Sequence, residues 1–217
     1  MYRYEPYEPQ THFQMQASDQ QIPISGATTI GVVCQDGVIL ASEKRVTYGN
    51  FIMSSSGKKV FKITDNIGIA CAGLISDMQF FARQVAADSA IYGLDVGREI
   101  SVRAASKLMS NTLFDKHATP LLTQTIVAGV DDEGPSLYVL DPIGSVLPDD
   151  YAVVGSGTEI AIAVIEEGYH KDIKLAEAKA LLTRAIKSAV SRDAMSGNGV
   201  DFMIVTKTGM TEETTPF

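Results

Sequence analysis

The chain has 217 residues, of which 45% are hydrophobic and 20% charged, an ordinary globular composition that excludes a mostly disordered protein. Its 18 basic and 26 acidic side chains give a net charge of −8, and no Lys/Arg run is longer than a dipeptide, which argues against nucleic-acid binding. No apolar run approaches the roughly 20 residues of a membrane-spanning helix, and the N-terminus lacks a secretory signal. We therefore expect a cytoplasmic protein without a membrane partner.

Residues 1–26 differ in composition from the rest of the chain. They contain three Tyr, three Pro and five Gln, and they show neither a helical nor a strand period. This pattern predicts a poorly ordered leader, followed by a single catalytic-type domain at residues 27–217.

Two β-hairpins are predicted directly after the leader. Residues 28–34 and 38–44 are apolar and rich in β-branched side chains, and Asp36-Gly37 between them is a strong hairpin turn signal. A second pair of strands is predicted at residues 60–64 and 67–73.

The hydrophobic period then changes from strand to helix and back again. Helices are predicted at residues 76–92, 99–114, 158–168 and 175–191, and strands at 121–131, 136–142, 151–154 and 200–207. Because strands and helices do not alternate as βαβ units, we predict an α+β fold in which two antiparallel sheets are stacked between two helical layers.

The sequence offers no pattern for a metal or nucleotide site. Cys34 and Cys71 each lie in a predicted strand, and we expect buried core thiols. His12, His117 and His170 lack metal-ligand spacing and are expected at the surface. The glycines around Ser156 lack the context of a phosphate-binding loop.

The segment at residues 25–31, Ser-Gly-Ala-Thr-Thr-Ile-Gly, resembles the maturation site of proteasome beta subunits, in which a leader ending in glycine precedes the catalytic threonine. In this chain that position holds Ala27. The resemblance covers residues 27–206 and rests on the segments 43–47, 50–53, 57–59, 71–73, 155–157 and 192–197.

This resemblance is closest to archaeal beta subunits, and it implies the four-layer αββα sandwich of N-terminal nucleophile hydrolases. The implied activity is that of a threonine-type endopeptidase, which degrades unfolded proteins inside a chamber and uses no cofactor. The implied partners are proteasome alpha subunits, other beta subunits in four stacked seven-membered rings, peptide or unfolded protein substrates, and a regulatory ATPase that acts through the alpha rings.

The resemblance also assigns catalytic roles. At position 27 a threonine hydroxyl would be the nucleophile and its α-amino group the base, after the bond that follows Gly26 has been cut to release the leader. Lys59 would favour proton loss from that hydroxyl, and Glu43, where many family members have aspartate, would hold the ammonium group. Gly73 would donate its backbone N–H to the oxyanion.

The remaining implied roles concern the α-amine and the substrate. Asp193, Ser196 and Ser156 would orient the α-amine. A substrate peptide would lie as an added strand, paired with main chain near Thr47 and Gly73. The pocket for the residue before the cut would be lined by Val46, Phe61, Cys71 and Ile75. Because this lining is apolar, we expect a preference for large hydrophobic side chains.

Ala27 removes the nucleophilic oxygen, so both leader release and peptide cleavage should fail. Thr28 carries a hydroxyl, but in a strand its side chain points to the opposite face. Three hypotheses follow: a protease subunit that a substitution at residue 27 traps as its precursor, a naturally non-catalytic structural beta subunit of the ring, or a generic binding domain with a two-sheet core. The first is favoured because the other site residues are all retained.

Overall fold

The computed structural model describes residues 26–217. The predicted leader lies outside the described residues, apart from Gly26. The secondary-structure elements are, in chain order, β1 (Thr28–Cys34), β2 (Gly37–Glu43), β3 (Val46–Tyr48), β4 (Phe51–Ser54), β5 (Val60–Lys62), β6 (Ile67–Gly73), α1 (Ile75–Val96), α2 (Val102–Asp115), β7 (Thr123–Asp131), β8 (Gly134–Leu140), β9 (Val146–Asp149), β10 (Tyr151–Gly155), α3 (Thr158–Gly168), α4 (Leu175–Val190), β11 (Val200–Thr206) and β12 (Gly209–Thr215).

The strands form two five-stranded antiparallel sheets and one small hairpin. The first sheet has the strand order β10-β1-β2-β11-β12, and the second has the order β5-β6-β7-β8-β9. Strands β3 and β4 pair only with each other and form the hairpin. The predicted hairpin at Asp36-Gly37 is confirmed, with Cys34 paired to Gly37 at its end.

The two sheets face each other across a layer of buried apolar side chains. Leu40 and Met203 of the first sheet belong to the same buried cluster as Ala70 and Ile126 of the second. Helices α3 and α4 cover the outer face of the first sheet, and α1 and α2 cover the outer face of the second. The predicted α+β fold with four αββα layers is therefore confirmed.

Local signals account for where the first two helices end and begin. Helix α1 continues to Val96, four residues beyond its predicted end, and stops at Gly97, whose φ of 73° is a left-handed conformation suited to glycine. Helix α2 begins at Val102 instead of residue 99, because Ser101 is its N-cap and accepts a hydrogen bond from the N–H of Ala104 at 3.2 Å.

Several strands were not predicted. The predicted last strand at residues 200–207 is followed by β12, which pairs with β11 along its whole length. Strand β12 is a mostly exposed edge strand made of Gly, Met, Thr and Glu, so it lacks the apolar alternation that marks a half-buried strand. The short strands β3, β4 and β9 were missed as well.

Both cysteines are buried free thiols, as predicted. Burial raises the pKa of Cys34 to about 12 and that of Cys71 to about 11. Of the histidines predicted at the surface, His117 and His170 are exposed, whereas His12 lies outside the described residues. Within residues 26–217 we find no helix long and apolar enough to cross a bilayer and no grouping of three or more potential metal ligands.

The helical layer on the first sheet gives a stability prediction. Leu182 of α4 is fully buried in that layer, so the Leu182→Ala substitution should lower the free energy of unfolding by about 2–5 kcal/mol through the cavity it leaves. Leu94 on α1 is 85% exposed, and Leu94→Ala should change the free energy by less than about 0.5 kcal/mol. Urea titration measures both, and equal losses would contradict the assigned packing.

Candidate functional site

Ala27 lies directly before β1 and is completely buried. Its backbone N–H donates a hydrogen bond to Ser156 Oγ at 3.1 Å. The same hydroxyl donates to Asp193 Oδ2 at 2.6 Å. The main-chain nitrogen of residue 27 is thus connected to a carboxylate through a single serine.

Two glycines allow the backbone of residues 26 and 27 to sit this close to its neighbours. Gly155 has a φ of 103°, and a Cβ there would collide with the carbonyl oxygen of Ala27. A Cβ on Gly26 would collide with the side chain of Met195 and come within 2.6 Å of Ser156 Oγ. The peptide bond between residues 26 and 27 is therefore enclosed by close contacts, with no room for a side chain on Gly26.

Asp193 is the centre of a short hydrogen-bond network. Its Oδ2 accepts hydrogen bonds from Ser156 and from Ser196, whose Oγ lies 2.7 Å away. Ser196 Oγ is also 2.7 Å from Thr28 Oγ1. The structure thus brings Ser156, Asp193 and Ser196 together beside Ala27, and it adds Thr28, which the sequence-based site did not include.

Glu43, at the end of β2, and Lys59, just before β5, form an ion pair whose side chains are both fully buried. Lys59 Nζ also donates to the carbonyl oxygen of Arg45 at 2.6 Å. The other carboxylate oxygen of Glu43 accepts from the N–H of Arg45 at 2.7 Å and from that of Gly197 at 2.8 Å. Backbone groups therefore supply the hydrogen bonds that a buried ion pair needs.

Burial is the dominant influence on the titration of this pair. It lowers the pKa of Lys59, against the opposing effect of the carboxylates of Glu43, Asp193 and Asp201. It raises the pKa of Glu43, against the opposing effect of the Lys59 charge and of the hydrogen bonds from Gly197 and Arg45. The geometric link between the ion pair and the segment that carries Asp193 and Ser196 is the hydrogen bond from the Gly197 N–H to Glu43.

Gly73 lines a cleft that Gly26 and Ser156 also line. Its φ is 139°, and a Cβ would collide with the carbonyl oxygen of Leu122, so only glycine fits here without strain. The cleft has a volume of about 360 Å³ and a largely apolar surface. It is lined by Gly26, Ala72, Gly73, Leu122, Thr123, Gln124, Pro142, Gly155, Ser156 and Met195.

The residues suggested for substrate binding fall into two groups. Phe61, Cys71 and Ile75 pack in one apolar cluster between the second sheet and α1. Val46 and Thr47 lie on β3, outside that cluster, and Val46 is buried against Gly57. Thr47 Oγ1 is buried and has no hydrogen-bond partner among residues 26–217.

Sequence reasoning missed two further residues that shape this site. Gly155 lets the Ala27 carbonyl group approach closely. No sequence pattern signals its positive φ, which becomes evident only from this contact. Arg45 contributes its backbone to the Glu43–Lys59 pair, although its side chain is partly exposed and gave no signal of its own.

Comparison with known proteins shows the family of the chain. A family model described as proteasome subunit matches residues 24–205. The proteasome subunit beta 2 of Thermofilum pendens is 46% identical over 189 residues, which cover 87% of this chain and 93% of that protein. The beta 2 subunit of Caldivirga maquilingensis is 44% identical over 89% of this chain and 96% of its own length.

The proteasome subunit beta 1 of Nitrosopumilus maritimus is 45% identical over 190 residues, covering 88% of this chain and 95% of that protein. These relatives are matched over nearly their whole length, and the segments that build the network around Ala27 and the buried ion pair lie inside the matched family region. The chain therefore belongs to the proteasome subunit family and, within it, to the beta subunits.

Proposed function

We propose that this chain is a catalytic-type beta subunit of a proteasome core particle whose threonine endopeptidase activity is absent because residue 27 is alanine. The observation that carries the proposal is the hydrogen bond from the Ala27 N–H to Ser156, within the network of Asp193 and Ser196. The polar side chains that could orient an amine at residue 27, those of Ser156, Asp193 and Ser196, are present, whereas the side chain of residue 27 itself is a methyl group.

A threonine at position 27 would complete a nucleophilic site. Its hydroxyl would attack a peptide carbonyl carbon while its free α-amino group took the proton, and that proton would pass to the leaving amine. The ordinary pKa of an α-amine, about 7.7 to 8.0, suits this exchange near neutral pH. Asp193, Ser156 and Ser196 would orient the amine.

Lys59 would stabilise the developing negative charge on the hydroxyl oxygen. Three features of Lys59 support this role: its side chain is fully buried, it is paired with Glu43, and the Asp193 carboxylate favours its charged form. A buried ammonium group acts strongly on nearby charge, because little water screens it.

We further propose that the present chain retains its leader and is an unprocessed precursor. In an active form the same hydroxyl would attack the carbonyl carbon of Gly26, so that an ester forms while the peptide bond breaks and frees the α-amine. Water would then hydrolyse the ester, which releases the leader and regenerates the hydroxyl. Alanine cannot form this ester. The close packing around the bond between residues 26 and 27 supports the idea that it is held ready for attack.

The substrate would lie along the cleft beside Gly73, whose N–H would stabilise the oxyanion. An extended peptide would pair as an added strand with main chain near Thr47 of β3 and near Gly73. Phe61 and Ile75, which are partly buried, would border the pocket for the side chain that precedes the cut, together with the buried Val46 and Cys71. Large hydrophobic side chains would be preferred there.

We also propose a single domain at residues 27–217 that assembles with alpha subunits and with other beta subunits into four stacked seven-membered rings. Helix α1 supports such contacts, because it exposes several large apolar side chains, among them Phe80, Ile91, Leu94 and Val96. Unfolded proteins would be the substrates, a regulatory ATPase would deliver them through the alpha rings, and the complex would reside in the cytoplasm.

The alternative proposal is a naturally non-catalytic beta subunit with a structural role in the ring. A chain with only that role has no need for a buried lysine held by a carboxylate, since a buried ion pair is often less stable than apolar residues of similar volume. The intact Glu43–Lys59 pair therefore favours the catalytic type.

Restoring the hydroxyl tests the proposal. The Ala27→Thr chain, assembled with alpha subunits, should lose residues 1–26 and hydrolyse peptides after large hydrophobic residues, because the nucleophile is back in place. Ala27→Val is the matched control, since valine has the shape of threonine without its oxygen. Intact mass and peptide hydrolysis are the measurements. An assembled Ala27→Thr chain that keeps its leader and stays inactive would disprove the proposed function.

The buried ion pair gives a second test, in the present chain. Lys59→Met should lower the free energy of unfolding by about 3–5 kcal/mol near neutral pH, because it leaves the Glu43 carboxylate buried without its partner. The neighbouring Lys58, whose ion pair with Glu212 is half exposed, serves as the control, and Lys58→Met should cost less than about 0.5 kcal/mol.

The loss caused by Lys59→Met should depend on pH. Burial already raises the pKa of Glu43 above its ordinary 4.5, and removing the lysine raises it further. A raised pKa in the folded state means that stability is greatest below pH 4.5 and falls as the pH rises through the folded-state pKa. Urea titrations of the variant and the parent should thus differ more near neutral pH than near pH 4.5, and a pH-independent difference would contradict this role of Glu43.

A further inference from the structure

We propose that Arg45 and Asn198 are positioning residues of the peptidase site. The contact between their side chains holds the segment 193–198 in a fixed position relative to the Glu43–Lys59 pair. This inference rests on the proposed function, because the segment carries Asp193 and Ser196. Neither Arg45 nor Asn198 needs to touch a substrate for this role.

The Arg45 side chain donates hydrogen bonds to two residues of the segment. Its Nε donates a hydrogen bond to Asn198 Oδ1 at 3.0 Å, and its Nη1 donates to the carbonyl oxygen of Ala194 at 2.8 Å. Between these points the guanidinium lies directly against Gly197, where a Cβ would come within 2.5 Å of the Arg45 Cζ. The planar guanidinium thus spans the turn from residue 194 to residue 198.

The Arg45 main chain binds the ion pair at the same time. Its N–H donates to Glu43 Oε2 at 2.7 Å, and its carbonyl oxygen accepts from Lys59 Nζ at 2.6 Å. Gly197, under the guanidinium, donates its own N–H to the same oxygen of Glu43 at 2.8 Å. One residue therefore connects the ion pair with the segment that carries Asp193 and Ser196.

The backbone of Asn198 supports a role for its side chain. Its φ is 68°, and among residues 26–217 no other residue except glycines has a positive φ. Glycine adopts this conformation with less strain than asparagine does. The strained position is nevertheless occupied by a side chain whose oxygen accepts from Arg45.

The contact should matter more for geometry than for stability. It is exposed to solvent, and exposed polar pairs contribute little to the free energy of folding. Yet a shift of the segment would move Asp193 and Ser196 relative to residue 27 and also withdraw the Gly197 N–H from Glu43. Displacements of about 1 Å are enough to slow a catalysed step roughly a hundredfold.

Asn198→Gly and Asn198→Asp in the Ala27→Thr chain separate positioning from folding. Asn198→Gly removes the acceptor but suits the left-handed backbone, so the melting temperature should not fall by more than about 2 °C. Its kcat for peptide hydrolysis should fall at least about tenfold while KM changes less than about twofold. Asn198→Asp keeps an acceptor oxygen and should retain at least about half of the kcat.

Arg45→Met should lower kcat at least as much as Asn198→Gly does, because it also removes the hydrogen bond to the carbonyl oxygen of Ala194. The double variant should be no worse than Arg45→Met alone, since Arg45→Met already removes the contact with Asn198. If Asn198→Gly is as active as its Ala27→Thr parent, or if Asn198→Asp loses as much activity as Asn198→Gly, the proposal is overturned.

Hydrogen exchange in the present chain gives a readout that is independent of activity. Arg45→Met and Asn198→Gly should each speed amide exchange of residues 193–198 at least about tenfold and leave exchange in β7 unchanged. Unchanged exchange in that segment would refute the positioning contact. An inactive Ala27→Thr parent combined with faster exchange in the variants would count against the proposed peptidase and leave the contact supported.

Discussion

The buried contact between the Glu43 carboxylate and the Lys59 ammonium is the interaction on which the arrangement around residue 27 depends. Removing two charges from water costs several kcal/mol per ion, and their mutual attraction offsets this only when their other hydrogen bonds are also satisfied. Here the main chain of Arg45 and the N–H of Gly197 provide them. The end of β2, the start of β5 and the segment after α4 must therefore meet at one point.

The side chain of residue 27 takes no part in the hydrogen bonds of this framework. The polar network around Ala27 reaches it through its main-chain N–H, and the side chain accepts and donates nothing. A change from threonine to alanine therefore leaves Ser156, Asp193 and Ser196 able to form the same hydrogen bonds with one another. Under the proposed function, the chain would thus keep the fold and the surroundings of a peptidase site without its reactive atom.

Much of the fold could be predicted because most elements carry a clear hydrophobic period. Helix α3 was predicted at the residues where it occurs, and β1 likewise. Strand β12 was missed because an exposed edge strand rich in Thr and Glu needs only backbone pairing with β11, which leaves no apolar pattern.

Membership of the beta subunits also excludes the hypothesis of a generic binding domain.

By itself the sequence determined the alternation of strands and helices, the family and the absence of a hydroxyl at residue 27, since periodicity, motifs and residue identity are all local properties. Only the tertiary structure decided that Thr28 joins the Ser196 hydroxyl, that Gly155 makes room for the Ala27 carbonyl, and that Arg45 connects the ion pair with Asn198. These contacts join residues more than 100 positions apart, and their distances follow from how the two sheets and four helices pack, which no local pattern encodes.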